Sequence, residues 1–114
     1  MVKYASIERV TDTSTDLNDN IITPGWDVII RGNNIKVVEK DRFGGIFLFG
    51  ENGKLVKMNE ELIINETGRI ITRVPLTLPS GLYKLIIVTK YDEVADPSGY
   101  WAVVYKHLLS VRQC

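Results

Sequence analysis

Pro79-Ser80-Gly81-Leu82-Tyr83-Lys84-Leu85-Ile86-Ile87-Val88-Thr89-Lys90-Tyr91 is the stretch on which the fold turns. Proline and glycine at its head mark a turn, and the β-branched and aromatic run behind them has the length of a central strand. Successive strand side chains alternate between faces, so Tyr83, Leu85 and Ile87 point one way and Lys84, Ile86 and Val88 the other. Both rows carry apolar residues. A tyrosine just after a glycine here fits two roles: the tyrosine corner of β-sandwiches, whose phenol bonds back to main chain, or an ordinary core aromatic.

The rest of the chain supplies partners for this strand. Residues 4–11 read as a short, charged edge strand with Ala5 and Ile7 on one face, followed by a polar loop over residues 12–20. Thr23-Pro24-Gly25 makes a turn into a strand over residues 26–31, with Trp26, Val28 and Ile30 together. Gly32-Asn33-Asn34 bends the chain before a short extended piece at residues 35–38. Ile46-Phe47-Leu48-Phe49 looks like a strand covered on both sides, and Asn52-Gly53 predicts a tight primed turn that returns residues 55–58 against it. Two further strands follow at residues 62–64 and 69–74. A last strand over residues 100–111 places Trp101, Val103, Tyr105, His107 and Leu109 on one face. No helical stripe is sustained anywhere. The expected class is all-β, an antiparallel sandwich of about seven strands, with Trp26, Val28, Ile30, Phe47, Phe49, Tyr83, Leu85 and Ile87 as core candidates.

The 114 residues suit one domain, residues 1–114, and 45% hydrophobic with 25% charged residues is ordinary globular composition. Fourteen basic and fourteen acidic residues cancel, which leaves no net field to attract phosphate or anionic lipid. Lys36, Lys40 and Arg42 lie close in sequence, but Glu39 and Asp41 stand among them and a solvated loop results. The one cysteine, Cys114, excludes an intrachain disulfide and a cysteine metal cluster. The first ten residues lack the apolar core of a signal peptide, so a cytoplasmic location is expected.

Chemical motifs are sparse. Asp16-Leu17-Asn18-Asp19-Asn20 matches the opening of a calcium loop, but Ile21 stands where its turn glycine belongs and Asp27 where its bidentate glutamate belongs; an Asx-rich turn is the reading. Asn65-Glu66-Thr67 is a glycosylation sequon read as a turn. Neither nucleotide-binding glycine fingerprint occurs. The one histidine, His107, lies on the last strand as a satisfied or solvated residue, and Asp92, Glu93 and Asp96 form an acidic loop. The expectation is a protein that is not an enzyme, with no cofactor, metal or small-molecule substrate.

Four segments occur together and in order: Ala5-Ser6-Ile7-Glu8-Arg9-Val10-Thr11-Asp12; Ile22-Thr23-Pro24-Gly25 leading to Ile30-Arg31-Gly32-Asn33-Asn34-Ile35-Lys36; Val74-Pro75-Leu76-Thr77-Leu78-Pro79-Ser80-Gly81-Leu82-Tyr83 through Tyr91; and Lys106-His107-Leu108-Leu109-Ser110-Val111. With this order and spacing the chain resembles the carboxy-terminal Ig-like domain that follows an HU-like DNA-binding domain in certain bacterial nucleoid-type proteins. The departures lie at Asn65-Glu66-Thr67-Gly68-Arg69 and Ser98-Gly99-Tyr100-Trp101, in loops. The resemblance implies an Ig-like fold and a non-catalytic accessory domain whose DNA contacts belong to an HU-like domain absent from this chain; a nucleoid-associated location follows if the parent carries that domain. The alternative is a surface or periplasmic Ig-like module binding protein or glycan, since the Leu-Pro-x-Gly-x-Tyr-x-Leu pattern is shared with such modules.

One feature of the pattern points to a partner. A sandwich strand normally hides one face and wets the other, yet three strands are apolar on both. Ile46, Leu48, Ile86, Val88 and Val104 are therefore expected to merge into an outward face that docks another copy or a neighbouring domain, with the loop over residues 92–99 as the alternative cover. A protein partner or self-association is expected, DNA only through the absent domain, and no membrane.

Overall fold

The Tyr83 hydroxyl donates to the Pro79 carbonyl at 2.8 Å, which makes it a tyrosine corner. The computed structural model describes residues 5–37, 44–58, 62–90 and 100–111. Ten strands run in the order β1 (Ser6–Asp12), β2 (Ile21–Ile22), β3 (Asp27–Asn33), β4 (Gly45–Gly50), β5 (Leu55–Lys57), β6 (Leu62–Asn65), β7 (Arg69–Arg73), β8 (Gly81–Lys90), β9 (Tyr100–Val104) and β10 (Leu109–Val111). There is no helix among the described residues. One sheet has the order β1-β3-β7-β6; the other runs β2-β10-β8-β4-β5, with β9 also on β8. This is the strand arrangement of an immunoglobulin-type sandwich. Its pairings are antiparallel apart from β2 on β10, which is parallel.

The core lies between the sheets. Ile7, Val10, Val28, Ile30 and Ile70 face Ile46, Leu48, Tyr83, Leu85, Ile87 and Leu109 in one buried cluster. Leu85 sits two residues beyond the corner tyrosine, where disulfide-bonded Ig domains carry their second cysteine, and it is fully buried. Dispersion and apolar burial thus occupy the place of a covalent link. A bulge in β1 between Ile7 and Arg9 lets Ile7 and Val10 both turn inward although they are three residues apart. Opposite it a side chain on Gly32 would meet the Ser6 carbonyl oxygen at 2.0 Å, so only glycine fits.

Residues 35–37 cross between the sheets with Ile35 and Val37 buried. The Asn65 amide donates to the Val37 carbonyl at 2.6 Å and accepts from the Val37 N–H at 2.9 Å. Thr89 Oγ1 donates to the Lys36 carbonyl from the other sheet. The sequon asparagine is therefore committed to main chain. In the loop after β1, buried Asp12 accepts from Thr23 Oγ1 at 2.7 Å and from the Ser14 N–H at 3.0 Å, so the polar stretch is a hydrogen-bonded turn.

Four expectations need correction. Trp26 is half exposed: it lies in the turn before β3, where Gly25 has a φ of 83°, and its N–H donates to Thr23. Phe47 and Phe49 are outside the core, Phe49 being exposed. The hairpin after β4 is a three-residue loop, with the Gly53 N–H donating to the Gly50 carbonyl and only Gly53 at positive φ (84°), so Asn52 does not adopt a primed turn. The last strand is broken. Tyr105 donates its N–H to the Leu85 carbonyl, after which residues 105–108 leave the ladder before β10 resumes at Leu109↔Tyr83.

Leu85→Ala should lower unfolding free energy by about 2–5 kcal/mol in urea denaturation, since it empties the centre of the core. Tyr83→Phe removes one hydrogen bond and should cost about 1 kcal/mol.

Candidate functional site

The outward side of the larger sheet is the surface with most to explain. β4 and β8 pair as Ile46↔Ile87, Phe47↔Ile86, Leu48↔Leu85 and Phe49↔Lys84. Directly opposed residues share a face, and β8 turns Tyr83, Leu85 and Ile87 inward. Ile46 and Leu48 therefore point into the core, where both are fully buried, and do not belong to a docking face. Phe47 and Phe49 take their places outside. Ile86 and Val88 are half-buried and Val104 is 54% exposed, so these three lie where the pattern put them. The strands over β4, β8 and β9 do lie side by side.

Register defines the surface row by row. One row runs Lys57, Phe47, Ile86, Val104 across β5, β4, β8 and β9. The next runs Leu55, Phe49, Lys84. Lys57 Nζ stands 5.7 Å from the Phe47 ring centroid, so a cation lies on an aromatic face. Leu55 at 60% and Phe49 at 42% exposure are large apolar groups held in water. Contiguous surface of this kind marks an interaction site more often than scattered single residues do. Leu55 and the two phenylalanines were missing from the expected face because β4 is apolar on both sides and carries no phase of its own.

Elsewhere the described residues offer little chemistry. A pocket of about 310 Å³ lies beside β5 and β7, lined by Lys57 and Arg73 with Met58, Val74, Pro75 and Leu76, and Arg73 Nε is 3.2 Å from Asp27 Oδ1. His107 is exposed, its ring edge-on to Tyr105 with centroids 5.5 Å apart. Burial pushes the Tyr105 phenol above its ordinary value, and its hydroxyl donates to Asn20 at 2.9 Å. No group of three or more His, Cys, Asp or Glu is placed to hold a metal among the described residues. Asp92, Glu93, Asp96, Lys40, Arg42 and Cys114 lie outside the described residues, as does the loop over residues 92–99.

With the corner, the strand order and this face in view, residues 6–97 match the model of a domain of unknown function with an Ig-like fold (DUF4469). The chain belongs to that family. No curated protein matches it. Among solved structures it is similar to a crystal structure from Bacteroides vulgatus ATCC 8482 named "putative bacterial DNA binding protein", with 24% identity and a TM-score of 0.84. That likeness covers 99% of this chain and 49% of the other, so the chain spans about half the length of the protein it matches. At this identity the likeness establishes the Ig-like fold.

Leu48→Ala and Phe49→Ala separate the two faces of β4. The first should cost about 2–5 kcal/mol in chemical denaturation, and the second less than about 1 kcal/mol because its ring is already in water. Tyr105 carries a folded pKa above its unfolded one, so its contribution is whole below about pH 10 and is lost as pH rises beyond that. Tyr105→Phe should therefore flatten the alkaline fall in stability followed by circular dichroism.

Proposed function

We propose that this domain is a non-catalytic interaction module of a DNA-associated protein, in which an HU-like domain contacts DNA and the Ig-like domain docks protein. The observation that carries the reading is the outward face of β5, β4, β8 and β9, where strand pairing brings exposed Leu55, Phe49 and Val104 together with half-buried Phe47 and Ile86 on one sheet surface. Aromatic and aliphatic groups held in water on a rigid sheet supply affinity when a partner covers them. Two things support the DNA-associated context: the ordered sequence segments that resemble the Ig-like domain of HU-like proteins, and the neighbour named for DNA binding, in which this fold makes up 49% of the chain. The balanced charge, fourteen basic against fourteen acidic residues, supports placing the DNA contacts elsewhere.

Two measurements test this. Fluorescence anisotropy of the isolated chain with duplex DNA at low salt should show no micromolar or tighter complex, and salt-sensitive binding in that range would assign the DNA contact to this domain. The anionic apolar dye 1-anilinonaphthalene-8-sulfonate should brighten on the native domain and lose that signal in Phe49→Ser/Val104→Thr with the circular dichroism unchanged. A dark wild-type protein would show the face to be covered and sink the docking reading.

A further inference from the structure

The outward side of the smaller sheet carries a row of like charges that folding alone disfavours. Register places Arg9, Arg31 and Arg69 directly opposite one another on β1, β3 and β7. Their neighbours Val10, Ile30 and Ile70 are buried in the core, so alternation turns all three arginines outward. Arg9 is exposed and the other two are half-buried. Like charges directly opposite on a sheet destabilise it, and here two such pairs share the central Arg31. The nearby carboxylates are engaged elsewhere. Glu66 pairs with Arg69 at 3.1 Å, Glu8 at the β1 bulge accepts from the Asn33 amide at 2.9 Å, and Asp27 pairs with Arg73 at 3.2 Å. Among the described residues no ion pair or hydrogen bond engages the Arg9 or Arg31 guanidinium.

We propose that Arg9 and Arg31 bind a phosphorylated side chain of an extended protein segment, with an apolar residue two positions away lying on Ile29 and Ile71. Charge sets the first half. Three guanidiniums less the Glu66 carboxylate leave two positive charges at Arg9 and Arg31, and a phosphate monoester brings about two negative ones in a single group with three acceptor oxygens. Directly opposed side chains stand about 5 Å apart at Cβ, so one phosphate reaches both forks where one carboxylate would match only one. The second half comes from the next row. Ile29, Ile71 and Ile64 are paired across β3, β7 and β6 and are half-buried on the same outward side. They lie two residues along the strands, about 6.8 Å, which is the stride of an extended chain between side chains on one side. A flat sheet gives free phosphate no walls, and the isoleucines supply the contact area a peptide can use. Glu8, Glu66 and Asp27 border the arginine pair, so a nucleic-acid backbone laid along or across the rows would meet carboxylates, and the two rows carry no aromatic ring for bases to stack on.

This site lies on the opposite side of the sandwich from the face of β5, β4, β8 and β9 and stands or falls independently of it. The fluorescently labelled whole chain is applied at physiological ionic strength to degenerate 11-residue peptides with a fixed central phosphoserine, to the same peptides with serine or aspartate there, and to immobilised duplex DNA and oligo-dT. The expected result is capture by the phosphoserine peptides alone, enriched in Ile, Val or Leu two positions from the phosphate. Arg9→Gln and Arg31→Gln, with circular dichroism unchanged, should each weaken the best peptide at least tenfold in anisotropy, because each removes one of the two forks on the phosphate. Arg31→Lys keeps the charge but loses the planar fork and should cost about threefold. Phe49→Ser/Leu55→Ser, on the other sheet, should bind that peptide as wild type does. Equal capture by the aspartate peptides would show that a carboxylate suffices and overturn the proposal. Inorganic phosphate competing as tightly as the peptide would reduce it to a small-anion site. DNA captured in preference, phosphopeptide binding unmoved by both arginine variants, or an array with no enriched peptide would each refute it.

Discussion

The phase of β8 governs half of this molecule, and Tyr83 sets it. Its hydroxyl is tied to Pro79 and its ring packs where a side chain on Gly50 would lie 2.8 Å from Cε2. Once Tyr83 faces inward, Leu85 and Ile87 follow by alternation. Antiparallel pairing then carries the phase across the sheet: Ile46 and Leu48 inward, Phe47 and Phe49 outward, Val103 inward and Val104 outward. A one-residue slip would bury Lys84 and invert every one of these assignments.

That dependence explains what the amino-acid order disclosed. Strands such as β3 and β8 were legible because turn residues bound them and one row is more apolar than the other. The corner was legible from Gly81 and Tyr83. β4 was not, because Ile46-Phe47-Leu48-Phe49 is equally apolar in both phases, and tertiary register alone decides which pair is buried. A usable signal was present in Gly50, whose missing side chain makes room for the Tyr83 ring on the inward side. Trp26 misled for a different reason. Its place in the alternation is right, but Gly25 turns the chain just before it and the residue stands outside the ladder.

The candidate site shows the same division. Ile86, Val88 and Val104 were found by alternation within single strands. Lys84 shares their row by the same alternation within β8, whereas Leu55 and Lys57 enter only through cross-strand neighbours that no local window contains. Leu55 and Lys57 join Phe49 and Phe47 through the hairpin, whose three-residue loop fixes their register. The arrangement of charge about the aromatic centre is thus a property of pairing, and composition, neutral overall, conceals it.

The crossing segment at residues 35–37 joins the two sheets without covalent chemistry. Asn65 grips it from the smaller sheet and Thr89 from the larger, so sliding one sheet past the other must break side-chain bonds to Lys36 and Val37. In disulfide-linked sandwiches a reducing agent releases the corresponding restraint. Here the restraint is made of amide, hydroxyl and carbonyl groups alone. The alignment of the sheets, and with it the outward face they support, is therefore indifferent to the redox potential of its surroundings.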